Sequence, residues 1–254
     1  MSNARQEKIL QVLEQKGDVQ LQKLKDLFPE VSVMTLRRDL ITLENEGHVI
    51  RTYGGAVSTG KLPGIKGEED AYTRRAAENV EAKMNIAEKA LRLMEPGRSI
   101  YLDAGSTIMC LARMVEDESY SIITSGVNIA LELIKKNKIS AVALGGQLNR
   151  NTLSMSGPNA MAFLDTVNID LAFMSASGFS LDNGFTVSNI YEGEIKRKVI
   201  ARAKQVIALV DSSKVNKDLA FTYAYLKDID IWICDSALSS DIMREAKKYK
   251  TEIW

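Results

Sequence analysis

Small polar residues recur where hydrophobic runs of this sequence end. The run "SIYLD" is followed by "AGST", which leads directly into a helical pattern. Backbone N–H groups at a glycine turn and at a helix start bind anions such as phosphate, and two hydroxyls add further donors. The segment therefore offers anion-binding chemistry, with the candidate residues Asp103, Gly105, Ser106 and Thr107.

Three further segments repeat this chemistry after later runs. The run "SIIT" ends at Thr124, which is followed by Ser125 and Gly126. The run "ISAVAL" is followed by Gly145 and Gly146, which allow close backbone approach. Asp211 and Lys214 flank two serines: the lysine can neutralise a phosphate, and the aspartate can accept hydrogen bonds from sugar hydroxyls. Each segment alone is also what ordinary turns are made of. If several of these segments lie together at one edge of a sheet, a binding site is the favoured interpretation.

A second candidate surface lies in "VSVMTLRRDLITLENEG", residues 31–47. Val33, Leu36, Leu40 and Leu43 fall on one face of a predicted α-helix that begins after Ser32 and ends near Gly47. Arg38 then lies opposite this face, and Arg37 lies to its side. The other outward-facing residues are Met34, Thr35, Thr42 and Asn45.

The elements around this helix predict a DNA-binding domain. Two amphipathic helical patterns precede it, in "ARQEKILQVLEQKG" and "DVQLQKLKDLF", and "HVIRTYGGAV" alternates like a short β-ribbon. Three helices followed by a ribbon form a winged helix-turn-helix, whose last helix enters the major groove. Arginine there can pair with guanine, and threonine or asparagine can contact bases or phosphates. Residues 1–57 carry eight basic and eight acidic side chains, so any basic footprint is local.

From residue 76 onward, apolar strands alternate with amphipathic helices. Six strand-like runs end in small polar loops: "SIYLD", "SIIT", "ISAVAL", "IDLAFM", "QVIALV" and "IDIWIC". This pattern predicts a parallel α/β sheet with both faces covered, in which the loops after the strands gather at one edge. We predict a DNA-binding domain over 1–57, a glycine-rich linker over 58–75 and an α/β domain over 76–254.

Composition also bears on redox state, metal binding, membrane insertion and cofactors. Cys110 and Cys234 lie in apolar segments, as expected for core residues of a reduced, cytoplasmic protein. His48 is the single histidine, and without a cluster of ligands it predicts no metal site. No run reaches the roughly 20 apolar residues of a membrane span, and nothing predicts a cofactor.

The motif "VSVMTLRRDLITLENEGHVIRTYGGA" resembles the signature of the DeoR family of bacterial transcriptional regulators. The resemblance implies that double-stranded operator DNA is a partner. It adds the wing residues Arg51 and Tyr53 to the candidate contacts. The full set is Ser32, Met34, Thr35, Arg37, Arg38, Thr42, Asn45, Arg51 and Tyr53.

The segments "YLDAGSTIMCLA", "LGGQL", "GFT" and "LVDSSKV" resemble the C-terminal sensor domain of the same family, whose fold is similar to ribose phosphate isomerases and CoA transferases. The resemblance implies a phosphorylated sugar or a related metabolite as effector. We predict a repressor, and the zero net charge of residues 1–57 predicts that it works as a homo-oligomer, a dimer or a tetramer. The implied ligand-binding residues are Asp103, Gly105, Ser106, Thr107, Thr124, Gly145, Gly146, Asp211 and Lys214.

Two other functions fit less well. A sugar-phosphate isomerase carrying a DNA-binding appendage needs a general base near the sugar carbonyl. The loop Ser175–Gly178 has no titratable side chain, and Glu192 and Glu194 lie beside lysines and arginines, which predicts surface ion pairs. An architectural DNA-binding protein without a ligand leaves the polar loops unexplained. The sequence predicts a regulator and no catalytic residues.

Overall fold

The computed structural model describes residues 2–16, 18–45, 49–52, 54–58 and 72–254. The chain divides into two compact units, Met1–Lys66 and Gly67–Trp254, called here the N-terminal and C-terminal units. No helix in the described part of the chain is long and apolar enough to cross a membrane.

The N-terminal unit contains the predicted helices and ribbon. Its elements are α1 (Ser2–Lys16), β1 (Asp18–Gln20), α2 (Leu21–Leu27), α3 (Val33–Asn45), β2 (Val49–Thr52) and β3 (Gly55–Ser58). β2 and β3 form an antiparallel hairpin, which confirms the ribbon. β1 was not expected: its residues were assigned to the second helix, but they are extended and pair with β3. Buried Val19 explains this, because a β-branched residue packs well from a strand.

The core of the N-terminal unit contains the leucine face of α3. Leu36, Leu40 and Leu43 are buried together with Ile9 of α1. Val33 was predicted to share this face, and that was wrong: it is the first residue of α3, next to the turn, and is 42% exposed.

The C-terminal unit is built on a seven-stranded sheet in which every pair of neighbours is parallel. Its strands, in spatial order, are β15 (Glu252–Ile253), β14 (Ile231–Ile233), β12 (Ala203–Leu209), β9 (Ile169–Met174), β4 (Ser99–Leu102), β5 (Ser121–Thr124) and β6 (Ser140–Ala143). The six predicted strands are confirmed, and the two-residue β15 adds a seventh.

Helices connect these strands, and apolar side chains are buried on both faces of the sheet. On β4, Ile100 and Leu102 face one core and Tyr101 faces the other. The helices are α4 (Tyr72–Ala77), α5 (Val80–Leu91), α6 (Ser106–Met114), α7 (Val127–Leu133), α8 (Pro158–Leu164), α9 (Ile190–Arg202) and α10 (Ser240–Tyr249).

Two smaller antiparallel groups, which the sequence did not predict, cover the edge where the strands end. The first is a hairpin of β7 (Gln147–Asn149) and β8 (Ser154–Ser156). The second joins β10 (Gly178–Ser180), β11 (Gly184–Val187) and β13 (Phe221–Ala224).

The strand order reverses between β4 and β9. From β4 the chain continues outward through β5 and β6, whereas from β9 it continues in the opposite direction through β12 and β14. Open parallel sheets form a crevice at such a reversal, outside the carboxyl ends of the strands. The residues that follow β4 and β9, beginning with Asp103 and Ser175, therefore lie where a ligand site is expected.

Candidate functional site

The exposed face of α3 is the candidate DNA-binding surface. Arg37 and Arg38 are both exposed, and Met34 is 63% exposed. Asp39, directly after the two arginines, is buried and accepts hydrogen bonds from the guanidinium of Arg5 on α1, one of them 3.0 Å long. The hydrogen bond with Asp39 raises the pKa of Arg5. This ion pair and the leucine face fix the rotation of α3 so that its arginines point outward.

The turn before α3 is held by side chains of the same motif. Ser32 caps the helix, as predicted, because its hydroxyl accepts a 3.1 Å hydrogen bond from the N–H of Thr35. The ammonium of Lys25 donates to the carbonyl oxygens of Pro29 and Val31. Lys25 therefore stabilises the turn between α2 and α3, and its charge lies beside that turn.

The remaining candidate DNA contacts divide into two groups. The hydroxyl of Thr42 donates a 3.1 Å hydrogen bond to the carbonyl oxygen of Arg38, within its own helix. Tyr53 lies outside the described residues, and so do the side chains of Asn45 and Arg51. The contacts predicted for those three side chains stay predictions.

Asp103 lies at the strand-order reversal as part of a buried ion pair. Its carboxylate is 1% exposed and bonds the ammonium of Lys196 from α9, which is itself 4% exposed. The N–H and hydroxyl of Ser175, after β9, donate to the same carboxylate at 2.9 and 2.8 Å. The ends of β4 and β9 are thus joined through Asp103, and its charge is matched by a lysine that sequence reasoning placed on the surface.

The N-terminus of α6 follows Asp103 and presents unused donors. Within the described residues, the backbone N–H groups of Gly105, Ser106 and Thr107 donate to no protein acceptor. A side chain at Gly105 would not fit, since its Cβ would lie 2.6 Å from the hydroxyl oxygen of Ser175. The glycine of the predicted anion loop is therefore required by the packing of that loop against Ser175, the residue that follows β9.

A second buried charge lies on α9, one turn before Lys196. Glu192 is 7% exposed, and its Oε1 accepts hydrogen bonds from the hydroxyls of Thr152 and Ser154 on the β7–β8 hairpin. The prediction that Glu192 forms a surface ion pair with the basic residues of its helix was wrong, since Glu192 and Lys196 are both buried. Lys198 does form an ion pair near the surface, but with Asp165 at the end of α8.

Glu192 and Lys196 face a small cleft with residues from three other elements. Ala104 follows β4, Ser125 follows β5, and Ser154 belongs to β8. We call this space, lined by Ala104, Ser125, Ser154, Glu192 and Lys196, the switch-point cleft. The cleft is narrow: its solvent-accessible volume is about 10 Å³, which is room for a single water molecule.

Other predicted ligand-binding residues have structural hydrogen bonds. Thr124 is fully buried, and its hydroxyl accepts a 2.9 Å hydrogen bond from the N–H of Gly126. Gly146 has a φ of +100°, and a Cβ there would lie 2.4 Å from the carbonyl oxygen of Ser156. Gly145 has a φ of +71°, in the left-handed region that favours glycine. Gly146 therefore lies close to the backbone of β8. The predicted roles of Thr124, Gly145 and Gly146 in ligand binding stay predictions.

Asp211 and Lys214 lie after β12, around a short 3₁₀ helix, Ser212–Lys214. Asp211 is buried and caps this helix by accepting a 3.1 Å hydrogen bond from the N–H of Ser213. In the described part of the chain, no hydrogen bond or ion pair joins Lys214 to the Gly105–Thr107 loop. A phosphate shared by Lys214 and that loop stays a prediction.

The charges of Asp211 and Lys214 act on Lys83 of α5. Lys83 is buried, and its ammonium donates to the carbonyl oxygens of Arg75 and Glu78 at the end of α4. Burial lowers the pKa of Lys83, and the nearby charge of Lys214 lowers it further, against the raising effect of Asp211. The end of α4 is therefore fixed beside Asp211 and Lys214.

The start of α4 is fixed beside the cleft. The N–H of Tyr72 donates a 2.7 Å hydrogen bond to the carbonyl oxygen of Asn151, which directly precedes Thr152. Thr152 in turn donates to Glu192. Helix α4, which begins inside the segment predicted as linker, is therefore held at its start by Asn151 and at its end by Lys83.

Sequence reasoning missed three residues of this region: Thr152, Glu192 and Lys196. The helical periodicity of α9 carried a usable signal, since Glu192 and Lys196 share a face with Ile195 and Val199, all of which are buried. A charge on the apolar face of a helix is rarely buried without a partner.

The fold and these two surfaces define the class of protein: a winged helix-turn-helix unit followed by a parallel-sheet α/β unit with a polar crevice. Two family descriptions match the chain, the DeoR-like helix-turn-helix domain over residues 5–61 and the DeoR C terminal sensor domain over residues 78–236. The chain belongs to the DeoR family of DNA-binding transcriptional regulators.

Individual relatives agree with this assignment. The uncharacterized HTH-type transcriptional regulator YulB of Bacillus subtilis is 33% identical over 98% of this chain and 95% of its own length. The HTH-type transcriptional repressor GlcR of the same organism is 34% identical over 89% of this chain and 86% of its own length. Among solved structures, ribose 5-phosphate isomerase A from Methanocaldococcus jannaschii is 21% identical, with a TM-score of 0.42 over 56% of this chain and 57% of its own.

Proposed function

We propose that this regulator represses a carbohydrate-metabolism operon and that a phosphorylated sugar, bound by the C-terminal unit, changes its affinity for DNA. The observation that carries the effector proposal is the N-terminus of α6. There, three adjacent N–H groups without protein acceptors meet the positive end of a helix dipole at the strand-order reversal. A phosphate dianion supplies both the acceptors and the negative charge that this position favours.

The proposed DNA contacts are the exposed residues of α3, with Arg38 reading a base and Arg37 contacting a phosphate. The relative GlcR is described as a repressor, which supports the same role here. Residues 1–57 have no net charge, so one DNA-binding unit gains little electrostatic affinity. We therefore propose a homo-oligomer that places at least two such units on one operator.

A ligand changes DNA affinity only if it binds two arrangements of the protein unequally. Helix α4 is the element that supports such coupling, because Lys83 holds its end and Asn151 holds its start. We propose residues 1–57, 58–75 and 76–254 as the DNA-binding domain, linker and sensor domain, with α4 passing effector binding toward the linker.

Thermal unfolding of the intact chain against phosphorylated sugars tests this proposal. A true effector at a hundredfold excess over its dissociation constant adds roughly 2.7 kcal/mol to the stability of the native state. The same compound must then change the affinity for an operator selected from random-sequence DNA. The proposal is wrong if no phosphorylated sugar raises the melting temperature, or if those that do leave DNA binding unchanged.

The alternative function is a sugar-phosphate isomerase. The structure places a buried carboxylate, Glu192, in the cleft, where a general base would act. Its Oε1 already accepts two hydroxyl hydrogen bonds, and the loop Ser175–Gly178 supplies no acid. We therefore expect no aldose–ketose interconversion by any sugar phosphate that stabilises the chain. Turnover that Glu192→Gln abolishes would show the opposite.

A further inference from the structure

Strand β6 forms one edge of the seven-stranded sheet, and no described strand lies beyond it. The N–H groups of Ser140 and Leu144 donate inward, to carbonyl oxygens at the two ends of β5, at 2.9 and 3.0 Å. Because successive residues of a strand direct their backbone groups to opposite sides, those of Ala141 and Ala143 point outward. Among the described residues these outward groups have no recorded partner, so the edge can accept a further strand.

This edge lacks the features that usually prevent a free strand from pairing. Exposed edge strands are commonly very short, charged or interrupted by proline. β6 reads Ser-Ala-Val-Ala, without charge or proline, and its Val142 is 36% exposed. At the opposite edge of the sheet, β15 has only two residues, and one of them is Glu252. The edge at β6 is therefore the one suited to pairing.

Helix α7, which packs against β6, has an apolar outer face. Leu131 and Ile134 lie on it and are 58% and 66% exposed, although the outward face of a surface helix is normally polar. Glu132 and Lys135 beside them pair with each other at 2.6 Å, which leaves little net charge on this side of the helix. Exposed apolar residues on a helix that flanks an open strand indicate contact with protein.

The open edge is complementary to itself. When two copies of β6 run antiparallel about a two-fold axis at Val142, Ala141 of each copy lies opposite Ala143 of the other. These are the residues whose backbone groups point outward, so each pair exchanges both hydrogen bonds. The two Val142 residues then form a pair without hydrogen bonds, with Cα atoms ~4.5 Å apart. The same axis places the two α7 helices on one face of the joined sheet.

We propose that β6 and α7 form the interface between two copies of this chain, with their seven-stranded sheets joined edge to edge through an antiparallel β6–β6 pair. A two-fold interface uses the same patch on both copies, which a self-complementary edge provides. This inference rests on the proposed homo-oligomer, and it adds the surface that joins the copies. Pairing of two copies supplies the two DNA-binding units that a domain without net charge requires.

A cysteine on the two-fold axis tests the register of this pair. In Val142→Cys the two thiols come from directly opposed residues, whose Cα separation lies within the range of about 4.4–6.8 Å that a disulfide spans. We expect mild oxidation of the intact chain to give a covalent dimer on a non-reducing gel. In the matched control, Ala143→Cys, the two thiols are diagonal neighbours about 7–8 Å apart and should react far more slowly. The unsubstituted chain, with Cys110 and Cys234, gives the background.

Loss of the interface should halve the molar mass measured by light scattering, from dimer to monomer or from tetramer to dimer. Ala141→Pro removes an outward N–H and keeps the pairing of β6 with β5, because proline is tolerated where the N–H of an edge strand faces outward. The double variant Leu131→Glu, Ile134→Glu charges the helix face and leaves the strand unchanged. Met243→Glu, at a residue of α10 that is 44% exposed, is the control and should keep the wild-type mass.

The two disrupting variants should also bind the operator on the order of a hundredfold more weakly at concentrations where they dissociate, since two linked DNA-binding units gain affinity from avidity. Circular dichroism shows whether each variant is folded. If the proline variant does not fold, the helix variant and the cysteine pair still decide the question.

The outcomes distinguish this interface from the oligomer on which it rests. A wild-type chain that is monomeric at micromolar concentration, both alone and on operator DNA, would overturn the homo-oligomer and the interface together. An oligomer whose mass the folded variants leave unchanged would show that another surface joins the copies, and the homo-oligomer would stand. Equal crosslinking at positions 142 and 143 would exclude the two-fold register. A halved mass together with crosslinking that favours Val142→Cys supports the proposal.

Discussion

Asp103 and Lys196 form a buried ion pair that joins the end of β4 to the middle of α9, although 93 residues separate them in the chain. Both side chains are at least nine-tenths buried, and Ser175 supplies further hydrogen bonds to the carboxylate. The pair therefore connects α9 to the end of β4 at the point where the strand order reverses.

Removing one member of this pair should be far more harmful than removing both. Lys196→Met leaves a buried carboxylate without its cation and should cost ~3–5 kcal/mol of unfolding free energy, because an uncompensated charge is then buried. Asp103→Asn combined with Lys196→Met should recover much of that loss. Urea unfolding of the two single variants and the double variant measures the coupling. Additive single effects would show that the two charges do not stabilise each other.

Arg38→Ala should weaken specific operator binding by ~1–3 kcal/mol, since the guanidinium is exposed opposite the leucine face of α3. The melting temperature should change little, because no core contact is lost. Fluorescence anisotropy with the selected operator gives the affinity. Lys8→Ala, an exposed cation on α1, is the control. Operator binding by Arg38→Ala at wild-type strength would exclude a base contact by this side chain.

Lys214→Ala tests whether this cation reaches the effector phosphate. Loss of a charge-assisted hydrogen bond, worth about 1.5–3 kcal/mol, should weaken effector binding on the order of tenfold or more. Operator affinity without effector should be unchanged, because Lys214 belongs to the C-terminal unit. Calorimetry compares this variant with Lys217→Ala, a nearby exposed lysine. Equal affinities for wild type and Lys214→Ala would remove Lys214 from the site.

Lys83 gives the stability of the C-terminal unit a pH dependence of known sign. Burial lowers its folded-state pKa below the ordinary 10.5. Between these two values the unfolded chain binds more protons, so unfolding free energy rises with pH. The difference in stability between wild type and Lys83→Met should therefore shift in favour of wild type as the pH rises toward 10.5. Urea unfolding across this range measures it, and a constant difference would contradict the shifted pKa.

Local patterns predicted the elements that depend on local spacing. The 3.6-residue period of the leucines predicted the orientation of α3, and continuous apolar runs predicted six parallel strands. The sequence also predicted the position of Asp103 at the end of a strand. It did not predict the partners of Asp103 and Glu192 in the crevice, because Lys196 and Thr152 are far from these residues in the sequence. The β7–β8 hairpin was missed because short strands with few apolar residues depend on tertiary pairing.

The hydrogen bond from Tyr72 to Asn151 makes one amide proton a reporter on the cleft. Asn151 is adjacent to Thr152, whose hydroxyl binds Glu192, so this hydrogen bond links the start of α4 to the cleft. Its rate of exchange with deuterated solvent reports local opening of the backbone, independently of DNA binding. Exchange of the Tyr72 amide can thus be used to follow effector binding by the C-terminal unit in the intact regulator.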